Sequence, residues 1–496
     1  MSSFKYGVVS PILNEQRTNV PSPNDNISVP IGTVTAVKEY VNKLGLGPIL
    51  SKIKTKGVPL LPLLVALISY RLTENFSVDG CGRWLEDNTV RETIGLKHSV
   101  SHRMLYRAVE DVGENMKDIL SAARSSLLRR YDLPHTDVNI DSSSLSVYSK
   151  QSSLFSFGYS RDKRPDLRQV NFCVAEIRRP VNIPIHMTVS PGRSSDCTQF
   201  IEMIDDLSQY LDDGSSVVMD AAGEAKDVTS LILSKGMGYL VRKKMNLSDD
   251  VQISKFDKEN AILVDRDKRV WCSKKVFGSS GRTNYLFFSE KSYEDKMRML
   301  DSRAQKCVDE YFDVIRMRND GTLKVSKTML RRLRNPLIYC NVNVQTRLFN
   351  GEDEMYLFVR EHLSNGREGF FKLESSAELT EKEAYLTYRE RDTIEKMIES
   401  LKNHIDTGPL RVWSDACVRG VLTICFLAQT IISMMRFEHS ELSSVSSKNI
   451  IRSLEKLTLT VIRSDRKPKT RIYSNFDPVN SMILGCMPPP GTVSGG

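Results

Sequence analysis

The chain has 496 residues, too many for one ordinary hydrophobic core, so several modules are expected. With 40% hydrophobic and 26% charged residues, 27 Gly and 19 Pro, its composition is globular and excludes collagen-like, disordered and low-complexity classes. The formal net charge of +9 admits a polyanionic partner without naming one.

Residues 1–30 mix Ser, Pro and Asn without periodicity and read as a flexible arm. They lack a charged n-region followed by an apolar h-region, so no secretory signal is expected and the predicted location is cytoplasmic. Across 31–130 apolar residues such as Leu60, Leu64 and Leu67, then Leu105, Val109, Val112 and Met116, recur at three- and four-residue steps, which predicts an all-helical domain. Within it, Ser101 is placed to cap a helix that shows His102, Arg103 and Arg107 on its polar face. Both a DNA-reading helix and an ordinary solvated face fit that pattern.

From 131 to 245 the pattern becomes β-rich. Residues 138–140 run into Asp141, the runs 170–177 and 183–189 follow, a helical stretch covers 200–211, and further strand patterns end at Asp220 and at Lys244. This order predicts a mixed α/β sheet. Residues 246–368 alternate in short segments around a charged helical stretch at 293–318 and read as an inserted β-rich domain. The sheet's style returns over 369–445, and 446–496 reads as a helical and basic tail. The longest apolar runs, 58–70 and 421–435, hold 13 and 15 residues, too few to span a bilayer, and are predicted as buried helices. Nine scattered cysteines without C-x-x-C argue for reduced thiols rather than disulfides or a zinc site.

Three carboxylates stand out as candidate metal ligands. Asp141 follows a strand and precedes three serines, a pattern that a turn would also produce. Asp220 ends a buried strand, where α/β sheets place ligand sites, although it could equally cap the segment after it. The third candidate lies on a helix that the capping box Thr380-Glu-Lys-Glu383 should start. Tyr388, Arg391, Glu395 and Lys402 follow at steps of 3, 4 and 7, which at about 100° per residue put them on one face. A hydroxyl, two cations and a carboxylate in one stripe suit a phosphate backbone beside a metal ion, and they equally suit a solvated face with ion pairs. Spacing alone does not separate Glu395 from Glu399 as the ligand.

The four-residue stripe resembles the Y-(2)-R-(3)-E-(6)-K signature of the DDE transposases of prokaryotic insertion sequences. Residues 157–169, Phe157-Gly-Tyr-Ser-Arg-Asp-Lys-Arg-Pro-Asp-Leu-Arg-Gln169, are similar to the G-x-S-K-D-x-R-P-D-L-x-Q segment of one branch of that group. Asp141 with Ser142 and Ser143 resembles its D-x-[ST] strand, Gly192 with Asp196 its G-N-x-x-D turn, and 239–244 its basic strand. The resemblance implies a ribonuclease-H-like catalytic core carrying the inserted β-rich domain, preceded by a helical DNA-binding domain and followed by a helical tail. By residue, it implies Asp141, Asp220 and Glu395 as catalytic metal ligands for Mg²⁺ or Mn²⁺, two ions in all. It implies phosphate contacts from Tyr388, Arg391 and Lys402, and DNA contacts from Arg242, Lys243 and Lys244. Its implied partners are double-stranded DNA, as transposon ends and as target, and a second copy of the chain in a homodimer, for which 449–461 is a candidate helix, a core helix fitting the segment equally well. The pair Ala221-Ala222 departs from the polar residue and Gly that the group has after its second Asp. Trp271 is weighed as a base-stacking aromatic and as an ordinary core residue. A DNA-binding protein of the same fold without activity, and a nuclease that cuts without joining, are the alternatives.

The charge is unevenly spread. Segments 31–130, 246–368 and 446–496 carry +5, +4 and +5, whereas 131–245 and 369–445 carry −2 and −3. Basic flanks around an acidic centre suit DNA held outside and carboxylates gathered within.

Overall fold

A computed structural model describes residues 28–73, 77–133, 137–179, 182–277, 281–322, 327, 349–404, 410, 412–464 and 467–485. The chain divides into two units, one formed by Met1–Met237 with Glu390–Gly496 and the other by Gly238–Arg389. The predicted arm up to residue 27, the Pro/Gly-rich end, and Cys340 and Cys486 fall outside the described residues.

In the first unit, strands numbered along the chain are β1 (Ser28–Pro30), β2 (Val138–Val147), β3 (Arg168–Ile177), β4 (Ile183–Pro191) and β5 (Ser216–Met219). They are preceded by the predicted helices, among them Gly32–Lys43, Leu60–Thr73, His102–Glu114 and Met116–Tyr131. The four sheet strands lie in the order β4-β3-β2-β5. Pairs β2/β3 and β3/β4 are antiparallel, while β2/β5 is parallel. Strand β3 is buried at nearly every position, because the sheet is covered on both faces and cannot alternate polar with apolar.

The helix Asp415–Glu438 is the spine of this unit, with every residue from 420 to 435 buried. By length and composition it is apolar enough to cross a membrane, but it packs instead against the helices His102–Glu114 and Leu60–Thr73 and against β4. Three of its polar residues are hydrogen-bonded. Thr423 and Thr430 donate to the carbonyls of Arg419 and Phe426 at 2.8 and 2.9 Å, and Gln429 Oε1 accepts from Ser400 Oγ at 3.0 Å.

The second unit holds β6 (Gly238–Lys243), β7 (Ile262–Asp265), β8 (Val270–Phe277), β9 (Arg282–Ser289) and β10 (Phe370–Ser375), in the order β6-β10-β9-β8-β7 with every pair antiparallel. Its boundaries are wider than the predicted insertion. Strands β6 and β10, assigned from sequence to the core, pair with each other through Lys243↔Lys372 and Leu240↔Ser375. The unit is also less purely β than expected: a 30-residue helix, Glu290–Asn319, packs on Glu352–Leu363 through Ala304, Val308, Tyr311, Met355 and Val359. Trp271 is half-buried beside Phe288, and the Lys258 ammonium lies 4.6 Å from its ring, so its faces have partners within the unit.

The tail is not simply helical. After the helix Ser447–Lys456 the chain extends into β11 (Thr458–Ser464) and β12 (Lys467–Ser474), which form a three-stranded sheet with β1, before a short helix, Pro478–Leu484. The predicted continuous helix over 449–461 therefore stops early, because the β-branched run at 458–462 favours strand. Its apolar face, Ile450, Ile451 and Leu454, is buried in the first unit next to Gly32–Lys43, so that face is used within the chain rather than left for a second copy.

Two helices of the first unit cross backbone to backbone. A Cβ on Gly113 would stand 1.7 Å from the Ala416 carbonyl oxygen, and one on Gly420 would stand 2.0 Å from that of Val109. Replacing a helical glycine by alanine ordinarily gains about 1 kcal/mol. Here the overlap reverses the sign, so Gly420→Ala is expected to lower the unfolding free energy by about 3 kcal/mol, read as a drop in the urea midpoint.

Candidate active site

Strand register brings the first two carboxylates together. Parallel pairing matches Val138 with Val217 and Asn139 with Val218, so continuing two residues along each chain sets Asp141 level with Asp220 on the same face. Asp220 ends β5 and caps the turn Ala221–Glu224, its Oδ1 accepting from Ala222 N at 2.9 Å. The Ala pair after it thus supplies a backbone donor that holds the carboxylate. The Asp141 side chain is only 13% exposed. Burial pushes its pKa up to about 6, with a further push from Asp220, against the opposing pull of Arg391 and Arg161. Two mutually repelling carboxylates in a poorly solvated place form a hard oxygen site suited to a divalent cation. Mg²⁺ needs only one or two carboxylates besides water and substrate phosphates.

The helix expected to carry the third ligand begins as predicted. Thr380 N donates to Glu383 Oε2 at 2.9 Å and Glu383 N to Thr380 Oγ1 at 3.2 Å. It does not run unbroken, however. One helix covers Glu381–Arg389, a second covers Asp392–Glu399, and a wider turn covers Ser400–His404. The break coincides with contacts to a distant part of the chain. The Glu390 carboxylate is held by Arg178 at 3.3 Å and by Arg179, and its carbonyl accepts from Thr393 N at 3.1 Å, so the chain restarts there. The single predicted stripe is therefore divided between two helices and a turn.

Arg391, Glu395 and Lys402 belong to the first unit with Asp141 and Asp220. The Arg391 guanidinium lies 3.5 Å from Asp141 Oδ2 and also pairs with Glu395 Oε1, joining these two carboxylates through one cation. Glu399 is exposed. Among the described residues no three His, Cys, Asp or Glu side chains stand together at metal-holding distance, so Glu395 is linked to the Asp141 site through Arg391 rather than directly. Tyr388, Arg242, Lys243 and Lys244 belong to the second unit. There Tyr388 is half-buried, Arg242 and Lys244 are exposed, and Lys243 Nζ is 3.8 Å from Glu374.

Sequence reasoning overlooked several residues around the carboxylates. Arg161 donates to Ser142 Oγ at 2.8 Å and to Asp196 Oδ1 at 2.6 Å, which puts a guanidinium beside the residue following Asp141. Asp162 accepts from Ser146 N at 3.1 Å and from the Lys402 ammonium at 2.7 Å. Both belong to the segment 157–169, whose long motif match was the available signal. That segment is seated closely: a Cβ on Gly158 would be 2.0 Å from the Gly192 carbonyl, and Gln169 Nε2 donates to the carbonyls of Tyr159 and Gly192 at 2.8 and 3.0 Å. The buried acid Glu176 carried no such signal. Burial pushes its pKa up to about 7.

No family model and no curated relative matches the sequence. Among solved structures, the chain is similar to a cryo-EM structure of a piggyBac transposase synaptic complex with hairpin DNA, with a TM-score of 0.39 and 10% identity over 87% of this chain and 80% of that one. A likeness at that score bears on neither fold nor activity, which rest on the residues themselves.

The buried acids make stability depend on pH. Asp141 and Glu176 have ordinary values of 3.8 and 4.5 and folded values of about 6 and about 7, so the folded state binds more protons between those limits. Stability is therefore full below the ordinary values and falls as pH rises through the folded ones. In the presence of a chelator, Asp141→Asn is expected to raise the unfolding free energy at pH 8 by on the order of 3 kcal/mol and to leave it unchanged near pH 3, measured by urea denaturation.

Proposed function

We propose that the protein is a DNA transposase of the DDE type. It would bind the terminal inverted repeats of its own element, cleave there by metal-dependent hydrolysis, and join the 3′-hydroxyl ends to target DNA. One observation carries this reading: strand register sets Asp141 level with Asp220, and Arg391 ties Asp141 to Glu395, two residues that stand at the spacing of the Y-(2)-R-(3)-E-(6)-K signature.

On this reading Asp141 and Asp220 hold Mg²⁺ or Mn²⁺, with Glu395 as the third carboxylate. Bound divalent ions supply the activation of water or a 3′-hydroxyl and stabilise the leaving oxygen. The chain's own residues do the rest. Arg391 and Lys402 present a planar guanidinium and an ammonium to the phosphates flanking the cut, and Tyr388 adds a hydroxyl. Asp162 keeps the Lys402 ammonium near the segment 157–169 until a phosphate competes for it. Arg242, Lys243 and Lys244 contact the end DNA, and the basic helical segment 31–130 binds further along it. Two copies of the chain hold the two ends, and the protein works on DNA in the cytoplasm.

The test is excision from a supercoiled donor bearing the element's terminal repeats, with Mg²⁺. Wild type is expected to nick and then join the ends, whereas Asp220→Asn loses about 10³-fold or more of the cleavage rate and still shifts end DNA in a gel. Binding without cleavage by wild type, or cleavage that Asp220→Asn leaves intact, overturns the reading. Cleavage with no joined product favours a nuclease.

A further inference from the structure

Among its described residues the first unit buries an acid that the proposed reaction does not use. Glu176 of β3 is 0% exposed, and so is Asn139, its register partner on β2. Glu176 Oε1 accepts from Asn139 Nδ2 at 3.1 Å and from the Thr393 hydroxyl. Asn139 Nδ2 also lies 3.3 Å from Thr393 Oγ1 and 3.5 Å from the Glu390 carbonyl oxygen. The Thr393 hydroxyl, 2.7 Å from that same carbonyl, has one proton to share between it and Glu176. A strand and a helix are thus joined by one buried polar cluster, whose second carboxylate oxygen, Oε2, has no hydrogen-bond partner among the described residues.

An apolar side chain would fill this place at less cost, since a buried carboxyl is expensive even when hydrogen-bonded. What the carboxyl adds is direction. Its bonds end on Asn139, two residues before Asp141 on β2, and on Thr393, between Arg391 and Glu395 in the first turn of Asp392–Glu399. Ile394, Met397 and Ile398 supply the burial that holds this helix down. Apolar contacts, however, leave it free to slide or rotate by a fraction of a turn, and hydrogen bonds do not.

We propose that Glu176 is a positioning residue, which through Asn139 and Thr393 sets the helix bearing Arg391 and Glu395 at a fixed place against the strand bearing Asp141. The inference rests on the transposase reading for its consequence, while the placement itself concerns this chain alone. A fixed place matters because Arg391 must reach Asp141 and Glu395 together, and a shift of about 1 Å in such a constellation is enough to cost activity.

The experiment compares Glu176→Leu, which fills the volume without an acceptor, with Glu176→Gln, which keeps Oε1, in the full chain. Thr393→Val provides a milder cut of the same link should the leucine variant fail to fold. The deciding readout is hydrogen–deuterium exchange. Amides of 392–399 are expected to exchange about tenfold faster in Glu176→Leu and in Thr393→Val, with the central helix 415–438 unchanged, and Glu176→Gln is expected to stay close to wild type. Mn²⁺ affinity, measured by titration calorimetry without DNA, is expected to fall about tenfold in the same two variants and to be retained in Glu176→Gln. In the excision assay kcat falls with them while KM for end DNA stays within about twofold.

Unchanged exchange over 392–399 in both Thr393→Val and a folded Glu176→Leu overturns the proposal. So does a Glu176→Gln variant as loose as the leucine one, since the charge rather than the acceptor would then be what counts. If the helix loosens and Mn²⁺ affinity falls while wild type never cuts end DNA, the positioning role stands and the transposase reading is the one that fails.

Discussion

The parallel pairing of β2 with β5 is the constraint on which the candidate site depends. One antiparallel neighbour, β3, and one parallel neighbour, β5, flank β2, and the parallel one enters with Val138 opposite Val217. Because side chains alternate with a period of two, this register decides that Asp141 and Asp220 share a face and a level. A slip of one residue would turn one of them to the opposite side. The register is supported by its neighbours in the sheet: β3, buried along its length, lies beside β2, and the spine helix Asp415–Glu438 packs against β4.

That arrangement costs stability locally and is offset elsewhere. Asp141 is held where water cannot solvate it and where Asp220 repels it, and Glu176 is buried close by. Guanidinium groups from two directions temper this, Arg391 towards Asp141 and Glu395, and Arg161 towards Ser142 and Asp196. The offset comes from apolar burial remote from the acids, above all the run 420–435, and from helices that meet at glycine so that backbones touch. Perturbed carboxylates of this kind concentrate at functional sites.

Tyr388, Arg391, Glu395 and Lys402 illustrate how a regular spacing and the actual geometry can differ. Placed on an ideal helix, Tyr388, Arg391, Glu395 and Lys402 form one stripe. In the structure the chain restarts at Glu390, because its carboxylate is drawn to Arg178 and Arg179 and its carbonyl to Thr393. Arg391, at the start of the second helix, turns its guanidinium to Asp141. Helical periodicity describes a local backbone, and ion pairs to residues more than two hundred positions away lie beyond its reach.

Much was legible in the sequence because it depends on local chemistry. The helices of 31–130 follow from three- and four-residue apolar steps, the caps at Ser101 and Thr380 from side chains next to their own backbone, and the burial of 421–435 from composition. Asp141 was visible as an acid presented by a strand, and Asp220 as one at a strand end, though Asp141 lies well inside β2. Tertiary structure alone decided the rest. It set which strand lies beside which, and so the level of the two acids; it paired β6 with β10; and it turned the β-branched run of the tail into a sheet with β1. It also gave Glu176, Arg161 and Asp162 their roles. Each of these rests on hydrogen bonds and charges between residues far apart in the chain, whose energies exist only after folding has brought the partners together, so no window of sequence contains them.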